Sequence, residues 1–333
     1  GDGPIELDCL VIGAGFGGMY AVHRLRGMGL SLHAIEQGGD VGGTWYWNRY
    51  PGARCDVMSI DYSYSFSNEI MQEWTWSEVF AAQPEILAYA NWVADRLDLR
   101  RSYSFDTCAT VIAYDDAREI WSIGTDTGAV YEVKYLVMAT GPLSMPKTLD
   151  IPGSDRFGGQ LLQAQTWPHE QVDFAGKRVG LIGTGSSGIQ ITPVVAEQCG
   201  HLTVFQRTPS FTLPARNLKL DPEFIAQIKA HYPHLRDMAK TTFTGGIRPV
   251  STRPFFSVSP EERRNELNQS LQIIQELQRK FPSSSLAPDA LFYLGNILFE
   301  SGEYLQAAEQ FQSFMTRYPR KYLAPYAAEN IGY

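Results

Sequence analysis

Leu10-Val11-Ile12-Gly13-Ala14-Gly15-Phe16-Gly17-Gly18 decides the fold of this chain. Three aliphatic residues read as the end of a strand, and the apolar spacing from the glycines to about Arg26 reads as a helix. A glycine loop in that setting grips phosphate. Gly13 permits the tight turn, Gly15 leaves room for a pyrophosphate, and Gly18 lets helix and strand pack closely, while the helix N-terminus offers free N–H groups and a positive dipole end. Further on, Glu36 follows the next strand, Leu32 to Ile35. A carboxylate there accepts hydrogen bonds from ribose hydroxyls and repels a 2′-phosphate; an ordinary strand-turn-helix with Glu36 solvated is the alternative.

The pattern recurs. Arg178-Val179-Gly180-Leu181-Ile182 leads into Gly183-Thr184-Gly185-Ser186-Ser187-Gly188 and a second helix. Two such units predict two dinucleotides. The strand Leu202 to Phe205 ends in Gln206-Arg207-Thr208 instead of an acid, so a guanidinium and a hydroxyl stand where the ribose 2′ position falls. That favours NADP over NAD, unless Arg207 is only a solvated surface charge. Between residues 7 and 217 short β-branched runs alternate with glycine turns and helical stretches. The expected class is therefore α/β, with two Rossmann-like dinucleotide-binding domains.

Composition sets the bounds. The 333 residues are 44% hydrophobic and 12% aromatic, enough for real cores, and 28 Lys+Arg against 36 Asp+Glu give a net charge of −8. An acidic balance argues against a nucleic-acid partner. Cys9, Cys55, Cys108 and Cys199 show no metal-ligand or disulfide spacing, which predicts no metal site and a reducing, cytoplasmic setting. The longest uncharged stretches fall short of the roughly 20 apolar residues of a spanning helix, so no membrane segment or targeting peptide is expected.

The tail is a different kind of sequence. All seven tryptophans lie at or before Trp167, and of 30 glycines only Gly295, Gly302 and Gly332 fall after residue 264. A repeat appears at a spacing of 37 residues: Phe281-Pro282 aligns with Tyr318-Pro319, Ala287-Pro288 with Ala324-Pro325, Ala290 with Ala327, Gly295 with Gly332 and Leu277 with Phe314. Each unit reads as two helices. Ala290, Gly295, Ala307 and Ala308 let the backbones approach, and Leu291, Leu294, Leu298, Phe311 and Phe314 fill the seam. The tail resembles a tetratricopeptide-type repeat of bacterial cell-envelope proteins, the rival being an unrelated helical hairpin.

The stretch Gly42-Gly43-Thr44-Trp45-Tyr46-Trp47-Asn48-Arg49-Tyr50-Pro51-Gly52-Ala53-Arg54-Cys55-Asp56 closely resembles that of the Baeyer–Villiger monooxygenases, class B flavoproteins, and within them the phenylacetone monooxygenase branch. The likeness continues through Gln83-Pro84-Glu85-Ile86, Ala139-Thr140-Gly141, Trp167-Pro168-His169-Glu170 and Phe205-Gln206-Arg207-Thr208-Pro209, covering about residues 5 to 264. The family's fingerprint falls on Phe157 to Pro168, where Gln163 stands in place of its histidine. Glutamine keeps a donor and an acceptor but does not titrate near neutral pH.

The resemblance implies an enzyme in which NADPH reduces FAD, and the reduced flavin uses O2 to insert oxygen beside a ketone carbonyl, giving an ester or lactone. By the family pattern Gly13, Gly15, Phe16, Gly18 and Glu36 bind FAD, with Thr44, Trp45 and Asp56 near the flavin. Gly183, Thr184, Gly185, Ser186, Ser187, Gly188, Arg207 and Thr208 would bind NADP(H). Asp56 is the implied catalytic residue, since the family's carboxylate pairs with an active-site arginine; read alone, it also fits a helix cap. The likeness ends near Arg264, before any residue that matches that arginine, so the sequence reads as a hybrid or truncated chain. The expected domains are 1–150 for FAD, 151–217 for NADP, 218–264 as the start of a helical substrate region and 265–333 as the all-α helical repeat. Three functions stay open: the monooxygenase, an uncoupled NADPH oxidase, and a non-catalytic hybrid whose repeat binds a protein or peptide or self-associates.

Overall fold

A computed structural model describes residues 3–143, 146, 151–209, 215, 217–242, 245–246, 259, 261–262, 265, 272, 275–276, 279, 287–300, 303–319 and 327. The chain divides into two compact units, Gly1–Ala230 and His231–Tyr333.

In the first unit, β1 (Ile5–Ile12) enters α1 (Phe16–Gly27) and returns through β2 (Leu32–Ile35), the strand-helix-strand that the glycine loop predicts. β2 lies parallel to β1 with Leu10 opposite His33. After α2 (Thr44–Trp47), α3 (Asn68–Glu73) and α4 (Gln83–Arg96), the short β3 (Tyr103–Ser104) adds beyond β2. Then β4 (Ala109–Asp115), β5 (Ile120–Thr125) and β6 (Val130–Met138) form an antiparallel meander whose last strand pairs parallel to β1. The sheet order is β3-β2-β1-β6-β5-β4. Strand order reverses at β1, and in an open α/β sheet the crevice at the carboxyl ends of such strands is where ligands bind.

Alternation in β1 builds a core on both faces. Cys9 and Val11 join Met19, Val22, Ala90 and Leu99 under the helices, while Leu10 joins Ile35, Ile123, Tyr131 and Val133 on the other side. An aromatic cluster of Trp45, Trp76 and Tyr89, flanked by Phe16, Trp74 and Trp92, seats α4 behind the glycine loop. A second, smaller sheet pairs β7 (Arg178–Ile182) parallel with β8 (His201–Phe205), joined by α5 (Ser186–Gln198). Phe174, Ile191 and Val195 form its core, with Tyr50 and Trp167 packed against them. α6 (Pro222–Lys240) follows.

In the second unit, α7 (Ala287–Glu300) and α8 (Tyr304–Arg317) form a hairpin. Leu291, Leu294, Leu298, Phe311 and Phe314 are all buried at its seam, as the repeat predicts. Gly295 acts otherwise than expected. A Cβ there would stand 2.6 Å from the Phe311 ring, so the glycine makes room for an aromatic side chain and not for the partner backbone. The aligned landmarks Leu277, Phe281, Pro282, Ala324, Pro325 and Gly332, and the side chain of Ala290, lie outside the described residues, as does most of the helix expected over 265–280. Among the described residues no helix is long and apolar enough to cross a membrane.

Candidate functional site: two glycine loops

At the carboxyl end of β1 the chain turns sharply, with Gly13 at φ +112° and its N–H donating to the Ile35 carbonyl at 2.8 Å. A Cβ on Gly18 would sit 1.8 Å from the Gly13 carbonyl oxygen, so no side chain fits where helix and loop meet. Gly15 differs from both. Its backbone is extended (φ −72°, ψ −176°), open to any residue, and the nearest atom to a Cβ is Gly43 Cα at 3.5 Å. It is also the N-cap of α1, a position that favours Ser, Thr, Asp or Asn, yet no side chain caps this end. Packing does not require glycine there.

Glu36 lies at the carboxyl end of β2, buried to 7% exposure. It is not simply solvated: its carboxylate accepts from the Ala14 N–H at 2.6 Å and the Gly38 N–H at 2.7 Å. Each oxygen keeps lone-pair capacity for a further donor such as a ribose hydroxyl. The Gly42–Gly43 turn closes over the loop, with the Gly42 N–H donating to the Ala14 carbonyl at 3.0 Å. Thr44 then opens α2. Trp45 is buried behind the turn, its indole N–H donating to the Tyr62 hydroxyl at 3.0 Å, and Phe16 packs on Tyr62 and Tyr64. Both are walls supporting the loop.

Asp56 is exposed, in a bend after the Tyr50–Cys55 turn. The helix-cap alternative is not realised, because the next helix is α3, capped by the Ser67 hydroxyl accepting from the Ile70 N–H. Two residues earlier Arg54 is anchored, donating to Glu78 at 2.8 Å and to the Phe80 carbonyl at 2.7 Å. That contact holds the Glu78 carboxyl below its ordinary value. Asn217 donates to the same Glu78 oxygen and accepts from the Phe80 N–H. Sequence reasoning missed this clamp, since nothing local links positions 54, 78 and 217.

The second loop repeats the first. Gly183 has φ +99°, and a Cβ on Gly188 would meet the Gly183 carbonyl oxygen at 2.3 Å. Gly185 is again an extended N-cap (φ −73°, ψ −175°) with no side-chain cap and nothing within 4 Å of its Cβ direction. Thr184 Oγ1 accepts from the Gln206 amide at 2.9 Å, tying the loop to the end of β8. Ser186 and Ser187 start α5, and Arg207 and Thr208 follow β8, exposed. In the fingerprint segment Gln163 precedes a single 3-10 turn, and Trp167 packs on Phe174 with ring centroids 6.3 Å apart.

Both loops thus present an uncapped helix N-terminus and a bare backbone, and both fit the pyrophosphate of a dinucleotide.

The comparisons agree with this geometry. The chain is 44% identical over 259 residues to a Baeyer-Villiger monooxygenase of Pseudooceanicola batsensis, covering 78% of this chain and 47% of that protein. Among solved structures, an oxidized steroid monooxygenase bound to NADP superposes with a TM-score of 0.74 at 50% identity, covering 79% of this chain and 50% of the other. The OTEMO complex with FAD and NADP also gives 0.74, at 40% identity, covering 80% and 51%. The chain therefore spans about half the length of the curated relatives it matches. A tetratricopeptide repeat pattern matches residues 289–320. The pattern of the pyridine nucleotide-disulphide oxidoreductases matches residues 7–232, and the chain, whose front part resembles the Baeyer–Villiger monooxygenases, belongs to that family.

Proposed function

We propose that residues 1–230 hold the two cofactor sites of a flavin-dependent oxidoreductase of the Baeyer–Villiger monooxygenase type, FAD at the first loop and NADP(H) at the second. The observation that carries this reading is the pair Gly15 and Gly185. Both have backbone that any residue adopts, and a Cβ meets only ordinary contact at Gly15 (Gly43 Cα at 3.5 Å) and nothing within 4 Å at Gly185, so a side chain there would obstruct a ligand while leaving the fold intact. Gly13, Gly15, Phe16, Gly18, Glu36, Thr44 and Trp45 form or support the first site. Gly183, Thr184, Gly185, Ser186, Ser187, Gly188, Arg207 and Thr208 form the second, with Arg207 offering charge-assisted hydrogen bonds to a 2′-phosphate. The boundaries proposed are 1–150 and 151–217 for the two nucleotide domains, 218–264 for the start of a substrate region and 265–333 for the repeat. When bound, the flavin supplies the chemistry that passes electrons from NADPH to O2 and oxygen to a ketone, giving an ester or lactone. Exposed Asp56, on the turn beside the first site, is the carboxylate available to hold an active-site cation in place. Four cysteines without a disulfide support a reducing, cytoplasmic setting, and the repeat supports a protein partner.

The test is selective loss. Gly15→Val is expected to abolish the flavin spectrum of the purified chain while NADPH still binds, and Gly185→Val to do the reverse. Loss of both ligands in either variant, with circular dichroism unchanged, would overturn the assignment.

A further inference from the structure

One side chain links the helix of the second glycine loop to the Tyr50–Cys55 turn. Gln190 lies two residues beyond Gly188, in the second turn of α5, and its carbonyl oxygen accepts from the Tyr50 hydroxyl at 3.0 Å and the Arg54 N–H at 3.2 Å. Its amide donates to the Arg54 carbonyl at 3.0 Å. The side chain therefore completes the turn's backbone hydrogen bonds as a neighbouring strand would. Between the two residues gripped by the Gln190 side-chain oxygen, Gly52, at φ +78°, presses against the same helical turn; a Cβ there would stand 2.3 Å from the Gln190 backbone carbonyl oxygen. The turn continues toward the first site on its other flank. The Ala53 carbonyl accepts from the Gln83 N–H at 2.8 Å, the Gln83 side-chain amide donates to the Trp45 carbonyl at 2.5 Å, and Trp45 lies in α2, the helix that follows the Gly42–Gly43 turn over the first loop.

We infer that Gln190 is a positioning residue that couples occupancy of the second glycine loop to the Tyr50–Cys55 turn and the bend at Asp56 that follows it. The inference rests on the proposal that this loop binds NADP(H). An anion on the α5 N-terminus orders the first helical turn. Gln190 is covalently part of the next, so its grip on the turn tightens with it. No apolar or acidic residue replaces it: the site needs an acceptor for two donors and a donor for one carbonyl.

The experiment uses the full chain and NADP+ as probe, with calorimetry for binding and hydrogen exchange for the amides of residues 50–56. In the wild type, saturating NADP+ is expected to slow their exchange by about fivefold or more, the lower end of ordinary coupling between sites. Gln190→Ala should still bind NADP+ but lose that ligand-dependent protection, and Gln190→Glu, which keeps the acceptor alone, should fall between. A residue that only stabilises the fold would speed exchange equally with and without NADP+, leaving their ratio at the wild-type value, and that result overturns the proposal. If Gln190→Ala does not fold, Tyr50→Phe, which removes one hydrogen bond, must reduce the ratio for the proposal to stand. No binding of NADP+ to the wild type would overturn the nucleotide reading itself, and the coupling with it, which calorimetry separates from binding without coupling.

Discussion

Glycines of one motif answer to different constraints here, and the difference is testable. Gly18 is required by the fold, since a methyl group there overlaps the Gly13 carbonyl oxygen, and backbone does not move aside as a flexible side chain would. Gly18→Ala is expected to cost about 2 kcal/mol or more in urea unfolding, with or without cofactor. Gly15→Ala should change stability by less than about 1 kcal/mol, because its backbone is extended and a Cβ meets only Gly43 Cα, at an ordinary contact distance of 3.5 Å. The glycine pattern already separates the two, Gly18 for packing and Gly15 for space; what the structure adds is the contact that makes Gly18 obligatory, the Gly13 carbonyl oxygen 1.8 Å from its Cβ position. Glu36 teaches the same. Its position after β2 was legible from the spacing, but not that it also splints the loop through Ala14 and Gly38. At the second site Arg207 is exposed at the end of β8. A charge-assisted hydrogen bond to a 2′-phosphate is worth roughly 1.5 to 3 kcal/mol, about one to two decades in affinity. Arg207→Ala should therefore lose most of the preference for NADPH over NADH in parallel titrations, and unchanged discrimination would make it a surface charge.

At the level of elements, the parallel strands and their helices were legible because hydrophobic runs end in glycine turns. The antiparallel meander β4-β5-β6 was not singled out. Its strands carry exposed positions such as Val111, Ile112 and Tyr114, which blur the period-two pattern, and its turns rely on Glu119 and Gly128 in left-handed backbone, a weak local signal. Long-range clamps are less legible still. Arg54, Glu78 and Asn217 come from three separated segments, and their contact fixes the approach to Asp56. The hydrogen bond from Arg54 is the leading cause of the lowered Glu78 pKa. Since the folded-state value lies below the unfolded one, the stabilisation is fully present above the ordinary carboxylate range, near 4.5, and is lost as the pH falls through the folded value. The pair is about one-third exposed, so solvent screening limits it to about 1 kcal/mol or less. Glu78→Gln is expected to lower stability at pH 7 by up to that amount, with the difference from wild type vanishing in acid. A difference that grew as the pH fell would refute the assignment.

Across the whole molecule, composition sets the tail apart through its glycines, only three of which follow residue 264, whereas the last tryptophan, Trp167, lies far upstream. The separation into units at residue 230 is a property of packing that composition does not encode. The match to relatives such as the Baeyer-Villiger monooxygenase of P. batsensis covers 78% of this chain but 47% of that protein. Both glycine loops fall within residues 7–232, which the family pattern matches; on the proposed reading Asp56 is the carboxylate that would hold an active-site cation. Asp56 is exposed and, among the described residues, makes no ion pair. With no cation held beside Asp56, a reduced flavin bound at this site would lack the preorganised charge that favours oxygenation over loss of peroxide, because water-exposed charge is stabilised far less selectively than charge in a preorganised, dry site. The 333-residue chain loaded with FAD is therefore expected to act as an oxidase, NADPH + H+ + O2 giving NADP+ + H2O2 nearly one for one. Added phenylacetone or a cyclic ketone should barely change that rate. Following NADPH, H2O2 and ester in one reaction checks this directly. Ester formed in proportion to NADPH consumed would mean that this chain by itself encloses a working oxygenation site, and that some group of this chain supplies the cation beside Asp56.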